Sequence, residues 1–337
     1  MTLALLLGLT PAAMAKAGTE AAGTGTQQVA SAQEGAAEEQ AEEKGKSDEV
    51  EYPETFGPII SETAIPIEKG ALEIQPLFSL GFTTDTLTQS WRRETAGGNF
   101  KSFYMEWKFN YGIWDNMEAF IVVPYVHNWA NDVNEPGPNG QRSANSGGIG
   151  DISFTAKYMF IKETDTIPTV AFQFTTDFPT GRFRRPNPAK LETDIIGGGA
   201  YVFTGGLDLS KYLQPFVIYG NVWYSMSTAY SQRVDDENGQ GIDIRIYPRD
   251  FVTLNLAAEY PITKKWIALV ELLSFWDGGR VFGHKANVPP AALVSVLPGI
   301  EYMAHERVAL ALGVQVDLIG KNTDAAVTPI FTALFKF

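Results

Sequence analysis

Few residues here are of a type that does chemistry. There is no cysteine, which removes disulfides, thiolate metal sites and thiol nucleophiles together. The histidines are His127, His284 and His305. No two of them have metal-ligand spacing, and none has a serine motif nearby to make a nucleophile–base pair. They read as surface histidines. Asp235-Asp236-Glu237-Asn238-Gly239 is acidic enough for weak calcium binding, but it lacks the alternating ligand spacing and distal glutamate of a calcium loop and reads as a solvated loop. Arg182, Arg184 and Arg185 flank Phe183. They are either a contact for lipopolysaccharide phosphate or a device for loop solubility. Gly197-Gly198-Gly199 has no helix or lysine after it, so it is not a phosphate loop; it fits a bend in a strand. The expectation is no enzyme, no catalytic residue, no metal and no cofactor.

What remains is charge set inside apolar segments. Glu73, Glu106, Asp151, Asp177, Asp194, Glu259, Glu271, Glu301 and Asp317 occur there, with Lys108, Lys157 and Lys336 against them. A charge flanked by aromatics on both sides needs a wet or paired face. Side chains alternate across a strand. Phe103, Met105, Trp107, Phe109 and Tyr111 therefore share one face, opposite Ser102, Tyr104, Glu106, Lys108 and Asn110. The same two-residue period runs through 72–82, 151–160, 169–178, 252–260 and 308–318. In a membrane barrel such apolar faces meet lipid and the polar faces line the interior. The charged residues above are then pore-lining, and an acidic lumen favours cations or neutral solutes over anions. The same charges paired with one another would instead plug the interior, so both an open channel and a plugged barrel are open readings.

Weaker segments at 117–127, 194–204, 214–226, 265–276, 290–302 and 326–337 complete a set of twelve. Short connections such as 113–116, 162–166, 263–265 and 304–306 alternate with long polar ones at 83–99, 128–148, 181–193, 227–248 and 277–289. That rhythm marks an up-and-down barrel with periplasmic turns and extracellular loops. Aromatics near strand ends, among them Tyr111, Trp114, Tyr158, Tyr260, Trp266 and Trp276, suit interfacial girdles. The chain closes on Phe331, Ala333, Phe335 and Phe337, all on one face. Phe331, Phe335 and Phe337 look like the signal that outer-membrane insertion machinery reads.

Elsewhere the composition is consistent with this. Net charge is −13, which argues against a nucleic-acid partner. Residues 2–10 are apolar and end in Ala13-Met14-Ala15, an A-x-A cleavage pattern, so 1–15 read as a signal peptide. Residues 16–55 form an acidic arm rich in alanine and glutamate, too poor in apolar groups to offset its ordering entropy, and are expected to be disordered. Residues 56–337 are the barrel. Within them, 56–69 could fold into the lumen with Phe56, Ile59, Ile60 and Ile65 as a stopper.

Gly147-Gly148-Ile149-Gly150-Asp151-Ile152-Ser153-Phe154-Thr155-Ala156-Lys157-Tyr158 resembles the G-x-G-D…K-Y strand of one outer-membrane family, the MetA-pathway phenol-degradation barrels. Phe178-Pro179-Thr180-Gly181, Gly70-Ala71-Leu72-Glu73 and Val123-Pro124-Tyr125 resemble other strand motifs of that family. The resemblance covers roughly residues 60 to 337. It implies a barrel and the uptake of small, often hydrophobic or aromatic molecules. The fold expected is thus all-β, an up-and-down antiparallel transmembrane barrel of about twelve strands in the Gram-negative outer membrane. Its expected partners are membrane lipid, lipopolysaccharide, the insertion machinery and a small solute. The function expected is passive passage of small solutes, with a non-transporting scaffold or surface receptor as the alternative.

Overall fold

Residues rich in β-branched and aromatic side chains with a two-residue period make half-buried strands. The computed structural model describes residues 55–337 apart from 138–139, 236–240, 249, 279 and 283–285. The proposed signal peptide and nearly all of the acidic arm, His284 and most of the Asp235–Gly239 loop lie outside the described residues.

Twelve strands form the wall: β1 (Leu72–Leu87), β2 (Asn99–Trp114), β3 (Met117–Asn131), β4 (Ile152–Ile161), β5 (Thr169–Phe178), β6 (Val202–Leu213), β7 (Phe216–Ser227), β8 (Phe251–Pro261), β9 (Trp266–Asp277), β10 (Ala291–His305), β11 (Val308–Lys321) and β12 (Thr323–Lys336). Each pairs antiparallel with its sequence neighbours, and β1 pairs with β12 from Glu73↔Lys336 to Leu87↔Thr323, which closes the ring. Closure leaves no edge to present unpaired backbone groups to lipid.

The alternation decides which face meets lipid. Trp107, Phe109, Ile121, Phe154, Phe172, Leu207, Val222, Leu256, Leu272 and Leu312 are exposed on the outside. Lys157, Glu118, Asp208, Glu259, Glu271 and Glu301 are buried inside. Aromatics gather at the short-turn end, where the Trp266 and Tyr302 rings lie 4.6 Å apart and those of Phe216 and Tyr260 5.3 Å apart. Phe331 stacks on Phe78 of the neighbouring strand at 6.4 Å.

Two segments differ from the sequence reading. The strand expected over 194–204 begins at Val202 and runs to Leu213. Residues 179–201 instead form a loop, and Gly199 has a φ of 78° that a strand does not tolerate. The strand expected over 151–160 is found at Ile152–Ile161, but the connection expected over 128–148 carries a further strand, Ala144–Ile149, which also pairs with β3 and is separated from β4 by Gly150-Asp151. Extra ribbons at the loop end add Arg93–Thr95 on β1 and a separate sheet of Tyr230–Asp235, Gly241–Pro248, Arg280–Phe282 and Ala286–Val288.

Candidate functional site

The lumen is the candidate site, and residues 55–70 occupy its short-turn half. Gly70 N–H donates to Gly112 O at 2.8 Å, which seats the far end of this segment at the turn between β2 and β3. Phe56 N–H donates to Glu301 Oε2 at 2.9 Å, which fixes its near end on β10. The chain therefore enters and leaves by the short-turn end and crosses the lumen between.

Three consecutive backbone donors converge on Glu271 of β9. Its Oε1 accepts from Ile59 at 2.7 Å and Ile60 at 3.0 Å, and its Oε2 accepts from Ser61 at 2.7 Å. Successive N–H groups make an anion-binding concavity, here filled by the barrel's own carboxylate. The Ile59 side chain turns the other way, into an apolar cluster with Leu77, Leu269, Leu273, Leu297, Ala311 and Ile330. Burying it stabilises the segment by about 2 kcal/mol.

Glu62 is the central contact. Lys108 Nζ lies 2.6 Å from its Oε1 and Lys157 Nζ 3.0 Å from its Oε2. Lys157, fully buried, also reaches Glu118 Oε1 at 3.0 Å. Burial alone would raise the Glu62 carboxyl; the two ammonium groups outweigh it and carry it down to about 2. Further along, Ala64 N–H donates to Ser210 Oγ at 2.8 Å and Ile67 N–H to Glu118 Oε2 at 2.8 Å. Asn221 donates both to Glu62 O and to Asp208 Oδ1, each at 2.9 Å. The lumen face is thus a connected polar network rather than a set of isolated charges.

The residues singled out from sequence fall in four places. Glu271, Glu301, Lys108 and Lys157 touch the luminal segment directly. Glu106 accepts from Tyr104 at 2.5 Å, Glu259 from Tyr219 at 2.8 Å and Asp317 from Ser295 at 2.6 Å, all on the inner wall. Asp177 is buried on β5, and its Oδ1 has no hydrogen-bond partner among the described residues. Glu73 and Lys336 face each other across the β1–β12 seam at 3.7 Å. Asp151 and Asp194 are not on strands. Asp151 Oδ1 accepts from Gly181 N–H at 2.8 Å and its Oδ2 from Gly198 N–H at 2.7 Å, so one carboxylate ties together both ends of the 181–198 loop. Burial raises the Asp151 carboxyl, opposed by those backbone donors. Asp194 Oδ2 accepts from Asn187 N–H at 2.9 Å inside that loop.

Arg182, one of the three loop arginines, donates to Asp194 O within the same loop and to Ser146 Oγ on the Ala144–Ile149 strand. Glu62, Glu118 and Asp208 went unnoticed in the sequence. Glu118 sits in a segment of weak alternation, Asp208 falls between the expected segments 194–204 and 214–226, and Glu62 lies outside any strand. Their signal was an isolated acid beside apolar residues, which a loop shows equally well. Among the described residues, no three histidines or acids converge as metal ligands.

Beside the segment lies a cavity of about 290 Å³, lined from Glu73, Asn110 and Leu334 near the short-turn end to Thr83, Asp317 and Asp324 near the loop end. The segment contributes Ile59, Ile60 and Glu62 to it, and its walls include Tyr104, Glu106 and Gln173.

The fold has solved counterparts. An outer membrane channel from Pseudomonas putida F1 superposes with a TM-score of 0.66 at 12% identity, over 84% of this chain and all (100%) of that one. Two other barrels superpose more loosely. One is the translocator domain of autotransporter NalP from Neisseria meningitidis (TM-score 0.44, 8% identity, 80% of this chain, 90% of that one). The other is a mutant of the TodX monoaromatic hydrocarbon channel (TM-score 0.43, 9% identity, 80% and 90%). No curated protein matches the sequence. The fold is that of an outer-membrane β-barrel, and the cell outer membrane is its location. The family model described as "Putative MetA-pathway of phenol degradation" matches residues 84–327, most of the barrel, and the chain belongs to that family.

Proposed function

We propose that this protein is a non-enzymatic outer-membrane channel that passes small solutes, aromatic ones among them, by passive diffusion, with residues 55–70 as an internal plug. The observation that carries this reading is the lumen: a closed wall, a polar inner face and a cavity lined along its length by a segment held by side-chain contacts rather than by strand pairing. A segment paired into the wall could not leave without opening the barrel; one held by three carboxylates and two lysines can. The aromatic class of solute is suggested by the family description alone.

The second reading is a non-transporting scaffold or surface receptor. The filled short-turn half of the lumen and the separate loop-end sheet favour it. Liposome swelling separates the two. The channel reading expects swelling with small neutral solutes when the whole chain is reconstituted, and swelling no faster than in empty liposomes would support the receptor. The roles proposed for Phe331, Phe335 and Phe337 in insertion, and for loop arginines on lipopolysaccharide, stand as further parts of this reading. A chain with Phe331 and Phe335 replaced by Ser is expected to assemble more slowly with purified insertion machinery.

A further inference from the structure

The cavity beside the plug has a one-sided chemistry. Among the described residues, six carboxyl groups line it, those of Glu62, Glu73, Glu106, Glu118, Asp317 and Asp324, against a single ammonium group, Lys108. That ammonium is already engaged at 2.6 Å by Glu62. Lys157, just outside the lining, is shared between Glu62 and Glu118. Each carboxyl takes one of two forms. Ionised, it repels an anion; protonated, it offers no charge to attract one.

The neutral groups lean the same way. Gln173 is 3% exposed and Asn110 7%, and both line the cavity. Their carbonyl oxygens, Gln173 Oε1 and Asn110 Oδ1, have no hydrogen-bond partner among the described residues. One N–H of the Asn110 amide donates to Glu118 Oε2 at 3.1 Å. A buried acceptor left empty is costly, and a donor brought by a ligand relieves it. The hydroxyl of Tyr104 is taken by Glu106. The lining also has an apolar part, with Ile59, Leu77 and Ile330. An apolar cavity of about 150 Å³ is enough to hold a benzene ring. The 290 Å³ here exceeds that volume.

We propose that this cavity is a binding site for small amphiphiles that are neutral or cationic and donate hydrogen bonds, such as phenols and arylalkylamines, and that it rejects carboxylates of the same size. The inference rests on the channel reading for its biological meaning but not for its test. The probes are three molecules with one ring system: tyramine, p-cresol and 4-hydroxyphenylacetate. Titration calorimetry on the whole chain in detergent micelles measures binding without transport. Tyramine and p-cresol are expected to bind, tyramine at least about tenfold more tightly than 4-hydroxyphenylacetate. Gln173→Leu is expected to weaken both binders several-fold while its gel migration stays heat-modifiable. Equal or tighter binding of 4-hydroxyphenylacetate, or no binding of any of the three, overturns the proposal. Liposome swelling with the same probes keeps the two readings apart. No swelling with any probe sinks the channel and leaves the micelle binding order to decide the site. Equal swelling with the amine and the carboxylate upholds the channel and sinks the selectivity.

Discussion

At the scale of residues, Glu62 is the pivot, because it meets Lys108 at 2.6 Å and Lys157 at 3.0 Å. Removing one member of a buried ion pair costs about 3 kcal/mol, since the partner charge stays behind. Glu62→Gln is therefore expected to raise bilayer conductance several-fold and to expose 55–70 to protease, while the barrel stays folded. The pH dependence follows from the sign of the shift. The Glu62 carboxyl is depressed from 4.5 to about 2 in the folded protein, so its contribution is complete above 4.5 and is lost as pH falls toward 2. Conductance measured down a pH series should rise in that window, and the Glu62-dependent part of the rise should vanish in Glu62→Gln. Identical profiles for the two proteins would remove Glu62 from the account. From sequence, Lys108 and Lys157 were legible as charges needing a wet or paired face, but their partner was not. Glu62 lies 46 residues from one and 95 from the other, and no periodicity links a plug to a wall.

At the scale of elements, strands with clean alternation were the plainest in the sequence, and β9, expected over 265–276 and found at Trp266–Asp277, showed a weaker pattern. β2 and β4 alternate because one face meets lipid and the other a polar lumen. β9 reads Trp-Ile-Ala-Leu-Val-Glu-Leu-Leu, apolar on both faces, because Leu269 and Leu273 pack inward on Ile59. The β6 boundary was placed too early because the 179–201 loop is itself rich in apolar residues and glycine. What holds that loop is Asp151, and Asp151→Ala removes both acceptors for Gly181 and Gly198 N–H. That should cost about 1–3 kcal/mol locally and speed tryptic cleavage at Arg182–Arg185; an unchanged cleavage rate would show the loop is held elsewhere. The plug's exit depends on Gly112, where a Cβ would lie 2.0 Å from Glu68 O. Gly112→Val is expected to unseat 67–70 and raise conductance without loss of heat-modifiable migration.

At the scale of the whole molecule, the protein is a wall with lipid outside and a polar network inside, and the two faces should respond oppositely to charge. Leu256 is 59% exposed on the outer face of β8. Leu256→Arg is expected to destabilise the barrel by about 2–4 kcal/mol if it lies near the bilayer midplane, read by urea unfolding in lipid vesicles. A loss near zero would mean that face does not meet lipid. The central claim is that residues 55–70 stop a pore that is otherwise continuous. It is tested most directly by single-channel conductance of the whole protein against a chain lacking residues 56–69. A large rise in conductance on deletion, with the ring of twelve strands intact, is the predicted result; two indistinguishable traces from folded protein would contradict it.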